Sequence, residues 1–225
     1  VHFSYDEKNK IGSIESVVKR KNYIIRKSVN LSHKSQLIAS NIDLAVLVIT
    51  LDNPITSLAF IDRFLVTAEA YGIDSALVFN KIDLYGDKLK NKQKLYTDIY
   101  SKIGYTILSI SALSVKYKKK LTDLLSHKVS VLSGHSGVGK STLINLVAPN
   151  NNLKTQDVSE YHNQGVHTTT YAQMYPLNFG GSIIDTPGIK GLGLIDLDPR
   201  VISGYFPEMA TLKPNCKFQD CMHIK

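Results

Sequence analysis

A nine-residue stretch near the middle of the chain, GHSGVGKST (134–142), has the residue types and spacing needed to hold phosphates. Its glycines allow backbone N–H groups to converge on phosphate oxygens, Lys140 would reach the outer two phosphates, and the Ser141 hydroxyl would ligate magnesium. We therefore predict that this loop binds a nucleotide. The predicted contacts are Gly134, His135, Ser136, Gly137, Val138, Gly139, Lys140, Ser141 and Thr142.

A second motif, NKID (80–83), follows an apolar segment and offers groups that could read a guanine base. The Asp83 carboxylate can accept two hydrogen bonds from guanine that adenine cannot offer, which favours a guanine nucleotide. We expect Asn80 to contact the base edge and to tie this loop to the phosphate-binding loop. The stem of Lys81 should lie over the base.

A weaker signal, SAL (111–113), follows the next predicted strand. There Ser111 and the backbone N–H groups of Ala112 and its neighbour would face the base oxygen. Each motif alone has a structural alternative, such as a glycine turn that begins a helix or a turn that ends a strand. Their occurrence together favours a guanine-nucleotide site.

Two later segments would complete this site at the γ-phosphate. In DTPG (185–188), Asp185 would hold magnesium through water, and the Gly188 N–H would bond the phosphate. HTTT (167–170) falls where the other nucleotide-sensing loop should lie, and Thr169, with Thr168 next, is the candidate magnesium ligand. The alternative for these threonines is ordinary strand propensity.

The catalytic group is less well defined by the sequence. Many GTPases orient the attacking water with a glutamine just after the glycine of DTPG, but this chain has Ile189 there, so we expect slow intrinsic turnover. His167 is the nearest candidate for that task, although a histidine in such a loop can equally contact RNA or solvent. His135, inside the phosphate loop, is expected to serve packing or positioning.

These motifs need a scaffold, and strands alternate with helices from residue 42 onward. Alternation of this kind predicts an α/β fold, with a parallel sheet covered by helices on both faces and the nucleotide at the carboxyl ends of the strands. The motifs run from base reader to phosphate loop to γ-phosphate sensors, which is the order of an ordinary GTPase cut open and rejoined. We therefore predict a circularly permuted P-loop GTPase domain.

Composition places limits on the other properties of the chain. A length of 225 residues with 43% hydrophobic residues can bury a substantial core, and no apolar stretch approaches the roughly 20 residues that span a bilayer. A net charge of +8 makes a polyanionic partner plausible without identifying one. The two cysteines, Cys216 and Cys221, suit a reducing cytosol and a metal site better than a disulfide framework.

The motifs above, together with RKNYIIR, DRFLVTAEAYGI, IIDTPGIKGLGL and CKFQDCMH, resemble the circularly permuted GTPases of the RsgA (YjeQ/YloQ) family over nearly the whole chain. The resemblance implies an N-terminal OB-fold, a central GTPase domain and a zinc-binding C-terminal domain. It also implies a role in late maturation of the small ribosomal subunit, with the subunit and its rRNA as partners. We expect a cytoplasmic monomer that makes no membrane contact.

Three domains follow from this resemblance: the C-terminal part of an OB-fold (1–34), the permuted GTPase domain (35–195) and the start of a zinc-binding domain (196–225). Since residue 1 is valine, we expect the chain to be trimmed at its start, and we expect the same at its end. The expected cofactors are Mg²⁺ with GTP or GDP and one structural Zn²⁺, whose fourth ligand would lie beyond Lys225. The other zinc ligands implied by the family are Cys216, Cys221 and His223.

The sequence and the resemblance together predict a GTP hydrolase with low intrinsic turnover that the small ribosomal subunit stimulates. One alternative is a GTP-dependent RNA- or protein-binding switch in which hydrolysis is incidental. Another is an ATP-dependent enzyme such as a kinase, against which NKID argues. For the cysteines and His223, the alternative is two ordinary reduced thiols and a surface imidazole.

Overall fold

The computed structural model describes residues 1–27, 35–149, 172–185, 198 and 200–217. In chain order, the strands are β1 (His2–Asp6), β2 (Ile11–Ser16), β3 (Tyr23–Lys27), β4 (Ser35–Ser40), β5 (Leu44–Ile49), β6 (Asp74–Phe79), β7 (Thr106–Ser109), β8 (Val129–Ser133), β9 (Gln173–Pro176) and β10 (Ser182–Asp185). The α-helices are α1 (Leu58–Ala70), α2 (Asp87–Ile103), α3 (Lys118–Leu125), α4 (Lys140–Val147) and α5 (Pro207–Ala210).

Six of these strands form one sheet in the order β7-β6-β5-β8-β10-β9. Every neighbouring pair is parallel except β9 and β10, which pair antiparallel. Strand β8, which feeds the phosphate loop, lies between β5 and β10 in the middle of the sheet. The mostly parallel α/β sheet predicted from the sequence is therefore confirmed.

Strand β5 shows why this sheet is buried on both faces. Its alternate side chains Ala45, Leu47 and Ile49 pack in the same cluster as buried residues of α1 and α2. The intervening Leu44, Val46 and Val48 pack in a second cluster with residues of α3 and α4. Because successive side chains of a strand point to opposite faces, a continuous apolar run supplies both layers of core.

The N-terminal strands form two hairpins outside this sheet. Strand β1 pairs with β2, and both are exposed along their length, whereas β3 pairs with β4 and contributes the buried Ile24 to the core. The predicted domain boundary between residues 34 and 35 falls between the paired strands β3 and β4. The OB-fold and the three domain limits stay predictions.

Hydrogen bonds made by the side chains of Asn22 and Asp43 attach the β3–β4 hairpin to the sheet, and we call this set of bonds the joint. The buried side chain of Asn22 donates to the Ile42 carbonyl and accepts from the Ile42 N–H, both at 2.8 Å. The next residue, Asp43, accepts from the Val129 N–H at 2.9 Å through its carboxylate. This last bond lowers the pKa of Asp43 more than burial raises it. The joint thus ties the chain just before β5 to the start of β8.

The described C-terminal segment includes a 3₁₀ helix over Ile202–Tyr205 and continues into α5. The 3₁₀ helix packs against α1. A cavity of about 260 Å³ lies between α1, α2 and this segment. Among the described residues, no helix has the length and apolar character needed to cross a membrane.

Replacing Asn22 with alanine should test the joint. The change leaves the Ile42 N–H and C=O without their side-chain partner in a buried environment, which should cost about 2 kcal/mol of unfolding free energy. Denaturant unfolding measures this loss. Asn91→Ala makes the same substitution at an exposed position of α2, so it should change stability by less than about 0.5 kcal/mol. Equal effects of the two substitutions would contradict a structural role for Asn22.

Candidate nucleotide-binding site

The predicted nucleotide loops all leave the carboxyl ends of the parallel strands. Residues 134–139 follow β8, residues 80–85 follow β6, residues 110–113 follow β7, and Asp185 ends β10. Parallel neighbours bring these ends to one edge of the sheet, which is where open α/β folds bind ligands. The sheet topology therefore gathers motifs that the sequence places far apart.

The phosphate loop requires glycine at two positions for steric reasons. Gly134 has φ of +142°, and a Cβ there would lie 2.5 Å from the backbone oxygen of Val48. Gly139, which immediately precedes α4, has φ of +97°, and a Cβ there would lie 2.4 Å from Asn80 Nδ2. The loop is therefore packed tightly against both the central strand β5 and the base-reading loop.

Lys140 places its ammonium inside this loop. Its Nζ donates to the carbonyl oxygens of Gly134 and His135, both at 2.8 Å. Burial lowers the pKa of Lys140, and the negative charge of Asp185 opposes that shift. The phosphates of a bound nucleotide would compete with these carbonyls for the ammonium, as expected for the lysine of a phosphate loop.

Asn80 links three of the loops. Its side chain is 1% exposed, its Nδ2 donates to the Val138 carbonyl at 2.8 Å, and its Oδ1 accepts from the Ala112 N–H at 2.9 Å. The predicted tie between the base-reading loop and the phosphate loop is thus present in the structure. It also extends to the SAL segment. A contact between Asn80 and the base stays a prediction.

Within NKID, the residues before Asp83 leave its carboxylate accessible. Lys81 has a left-handed backbone, with φ of +59°, and its Nζ donates to the Asn53 carbonyl at 2.8 Å. Asp83 is exposed and lies in a 3₁₀ turn, Ile82–Leu84. The N–H of Ile82 donates to the Ile110 carbonyl at 3.4 Å, which places this turn beside the SAL segment. This arrangement can present Asp83 to a guanine ring.

The predicted magnesium ligands that the structure describes, Ser141 and Asp185, have suitable chemistry for a hard cation. Ser141 lies in the first turn of α4, and Asp185 ends β10 at a position that pairs with Leu132 of β8. A serine hydroxyl and a carboxylate, direct or through water, are oxygen ligands that Mg²⁺ prefers. The negative charge of Asp185 also acts on Lys140, so its carboxylate lies near the phosphate loop. These residues fit magnesium bound with nucleotide phosphates.

Several predicted site residues lie outside the described part of the chain. They are His167, Thr168, Thr169, Gly188, Ile189, Cys221 and His223. Of the zinc-ligand candidates, Cys216 is described, and it is half-buried directly after a 3₁₀ helix over Lys213–Asn215. The roles assigned to all of these residues stay predictions.

Two contacts at the site were not predicted from the sequence. The ring of His135 packs on Phe60 of α1, with centroids 4.1 Å apart and planes tilted by 35°, which agrees with the packing role expected for His135. The carbonyl of Asn53 holds Lys81. The sequence offered one signal for the Asn53 contact, the polar segment DNPITS directly after the buried strand β5. A loop at the carboxyl end of a strand lies at the ligand-binding edge of such a sheet.

This fold and these loops define a P-loop GTPase whose chain is circularly permuted, since the base-reading strand β6 precedes the phosphate-loop strand β8. The RsgA GTPase family matches residues 17–195, which is most of the chain. The chain therefore belongs to the RsgA GTPase family, and as a member it is a GTP-hydrolysing enzyme. The family resemblance seen in the sequence is confirmed.

Individual relatives extend this likeness across the chain. This chain is 52% identical over 225 residues to "Small ribosomal subunit biogenesis GTPase RsgA" of Flavobacterium psychrophilum, and the match covers 99% of this chain and 69% of that protein. The protein of the same name from Flavobacterium johnsoniae is 55% identical over 212 residues, covering 94% and 65%. The chain thus spans roughly two thirds of the length of these relatives.

Solved structures show the same similarity. The crystal structure of YjeQ from Thermotoga maritima matches with a TM-score of 0.79 at 34% identity, over 99% of this chain and 70% of that one. YloQ, described as a circularly permuted GTPase, matches with a TM-score of 0.75 at 27% identity, over 99% and 67%. The predicted permutation is therefore confirmed.

Gly139→Ala should test the packing of Asn80 against the phosphate loop. The new Cβ would displace the Asn80 amide and strain a left-handed backbone at a cost of about 1–2 kcal/mol, so GDP affinity should fall by about tenfold or more. Gly86→Ala is the matched control, since a Cβ at that helix N-terminus meets nothing within 4 Å. Titration with a fluorescent GDP analogue and thermal unfolding check both variants. Unchanged affinity in Gly139→Ala would contradict the packing of Asn80 against the loop.

Proposed function

We propose that this chain hydrolyses GTP during maturation of the small ribosomal subunit, with slow intrinsic turnover that the subunit stimulates. The observation that carries the guanine-nucleotide part is the Asn80 amide, which joins the base-reading loop to the phosphate loop and to the SAL segment. Support for the ribosomal part comes from the names of the curated relatives. A net charge of +8 is compatible with an RNA partner.

Each residue of the site has a distinct task in this proposal. Backbone N–H groups of the phosphate loop and the Lys140 ammonium would bind the phosphates, and Asp83 would pair with guanine. Ser141 and Asp185 would hold magnesium, with Thr169 completing its ligands and the Gly188 N–H sensing the γ-phosphate. The ion would neutralise charge on the phosphate oxygens.

The slow turnover follows from the residue after the γ-phosphate sensor. An aliphatic Ile189 cannot orient the attacking water, so that task falls to a group elsewhere. His167 is the candidate within this chain, and a group supplied or positioned by the ribosomal subunit is the other source. Stimulation would then arise if the subunit positions His167 or supplies that other group.

The finer parts of the proposal concern the ends of the chain. Residues 1–34 would belong to an OB-fold that contacts rRNA, and residues 196–225 would begin a zinc-binding domain. Its ligands would be Cys216, Cys221 and His223, with a fourth outside this chain. We also propose a cytoplasmic monomer.

The switch alternative, in which hydrolysis is incidental, has less support because the matched family and the curated relatives are named as GTPases. A kinase is disfavoured by the base-reading loop. The exposed Asp83 carboxylate would repel the acceptor N1 of adenine rather than pair with it.

Asp83→Asn should change which base is bound. The amide has one acceptor oxygen and so cannot accept both hydrogen bonds of the guanine N1–H and 2-amino group, and its NH2 would face the 2-amino donor. GDP affinity should therefore fall by about 2–3 kcal/mol. Affinity for the xanthine nucleotide should rise, because its 2-oxo group can accept a hydrogen bond from the amide N–H. Titration with both diphosphates measures the exchange. Asp87→Asn, an exposed aspartate four residues later, should alter neither affinity, and a surviving GDP preference in Asp83→Asn would remove Asp83 from the base site.

Small ribosomal subunits should accelerate GTP hydrolysis by about tenfold or more at saturating GTP, because the partner would supply or position the missing water-orienting group. Phosphate release is measured with the protein alone, with small subunits and with large subunits, and the large subunits should have no effect.

A Cys216→Ser/Cys221→Ser variant should lose stimulation while retaining intrinsic GTP binding, if the zinc-binding domain docks on the subunit. Absence of stimulation together with normal GTP binding would favour the switch alternative.

A further inference from the structure

The carboxylate that would read guanine lies on a short protruding turn. Residues 80–85 leave β6 through the left-handed Lys81 and then form the 3₁₀ turn Ile82–Leu84. Internal bonds run from the Leu84 N–H to the Lys81 carbonyl at 3.0 Å and from the Tyr85 N–H to the Ile82 carbonyl at 3.2 Å. Asp83 and Leu84 are exposed, so the position of Asp83 depends on how the two ends of the turn are held.

A single buried hydroxyl closes this turn. The Tyr85 side chain is 4% exposed and packs in the core cluster on the α1 and α2 side of the sheet. Its hydroxyl donates to the backbone carbonyl of Asn80 at 2.9 Å. Asn80 and Tyr85, the first and last residues of the segment 80–85, are thus joined directly, and Asp83 lies between them in the chain.

The same hydroxyl reaches a second loop. It accepts a hydrogen bond from the Leu51 N–H at 3.1 Å, at the start of the segment that follows β5. Two residues further on, the Asn53 carbonyl accepts from Lys81 Nζ at 2.8 Å. The turn and the segment after β5 are therefore connected at two points, Lys81 before Asp83 and Tyr85 after it.

The chemical state of the hydroxyl suits both bonds. Burial raises the pKa of Tyr85, the bond from Leu51 opposes this shift, and the carboxylates of Asp52 and Asp83 raise the pKa further. The phenol therefore keeps its proton at neutral pH and can donate to Asn80 while accepting from Leu51. The hydroxyl thus acts as both donor and acceptor. In this buried position, an unpaired donor or acceptor would lower the stability of the protein.

We propose that Tyr85 is a positioning residue for guanine specificity, because its hydroxyl fixes the turn that carries Asp83. Tyr85 acts through Asp83 and does not itself touch the nucleotide. This inference rests on the guanine pairing proposed above for Asp83. A carboxylate accepts two hydrogen bonds from one base only if its position and orientation are fixed, so a loosened turn should first lose the bond to the guanine 2-amino group.

The test compares GDP with inosine diphosphate, which lacks only that 2-amino group. The wild-type protein should prefer GDP, and Tyr85→Phe should reduce the ratio of the two affinities by about fivefold or more, since it removes two hydrogen bonds while keeping the ring in the core. Isothermal titration at one magnesium concentration provides both affinities. A variant that is merely less stable would lower both affinities equally and leave the ratio unchanged.

Tyr100→Phe is the matched control. Tyr100 is 3% exposed and belongs to the same core cluster, and its hydroxyl donates to Asp62 at 2.6 Å between α2 and α1, away from the nucleotide loops. This variant should lose stability without changing the nucleotide ratio. In an Asp83→Ala background, Tyr85→Phe should have no further effect on the ratio, because the acceptor that it positions is absent.

The possible outcomes distinguish failure of the guanine pairing by Asp83 from failure of the positioning role of Tyr85. A wild-type protein with equal affinity for both nucleotides would overturn the guanine pairing itself. A wild-type preference that survives in Tyr85→Phe would overturn only the role of Tyr85. A preference that falls in Tyr85→Phe but also falls by the same factor in the Asp83→Ala background would place the effect of Tyr85 elsewhere than on Asp83.

Discussion

The buried amide of Asn80 is the interaction on which the nucleotide site depends. It lies at the end of β6 and bonds to Val138, 58 residues later in the chain, and to Ala112, 32 residues later. An amide has a donor and an acceptor at fixed relative positions, so it can fix the spacing of two loops at once. Glycine at 139 is required by the same contact, since any side chain there would occupy the space of the Asn80 amide.

This dependence explains why a permuted chain can keep an ordinary GTPase site. The contacts that assemble the loops are spatial, between ends of parallel strands, and none of them requires the phosphate loop to precede the base reader. The permuted order adds one connection, which runs from the end of α3 at Leu125 to the start of β8 at Val129. Helix α3 packs its buried Leu121 and Leu125 in the same cluster as α4, so it covers the same face of the sheet.

The sequence was informative where residue type alone limits geometry. Apolar runs with helices between them predicted the parallel sheet, and glycines, lysine and serine at fixed spacing predicted the phosphate loop and its place after β8. The tie through Asn80 was also predicted, because a motif that reads a base has to be held near the phosphates. The contact of Phe60 with His135, the hydroxyl of Tyr85 and the joint at Asn22 were not predicted. Each is made by an ordinary core or turn residue whose partner is chosen by tertiary packing, which leaves no periodic or motif signal in the chain.

Helix α1 shows how those unpredicted contacts extend the site. Near its start, Phe60 packs on His135 of the phosphate loop, and the segment just before it carries the Asn53 carbonyl that holds Lys81. The same helix packs against the 3₁₀ helix Ile202–Tyr205 of the C-terminal segment. The nucleotide loops and the C-terminal segment therefore share one structural support, helix α1.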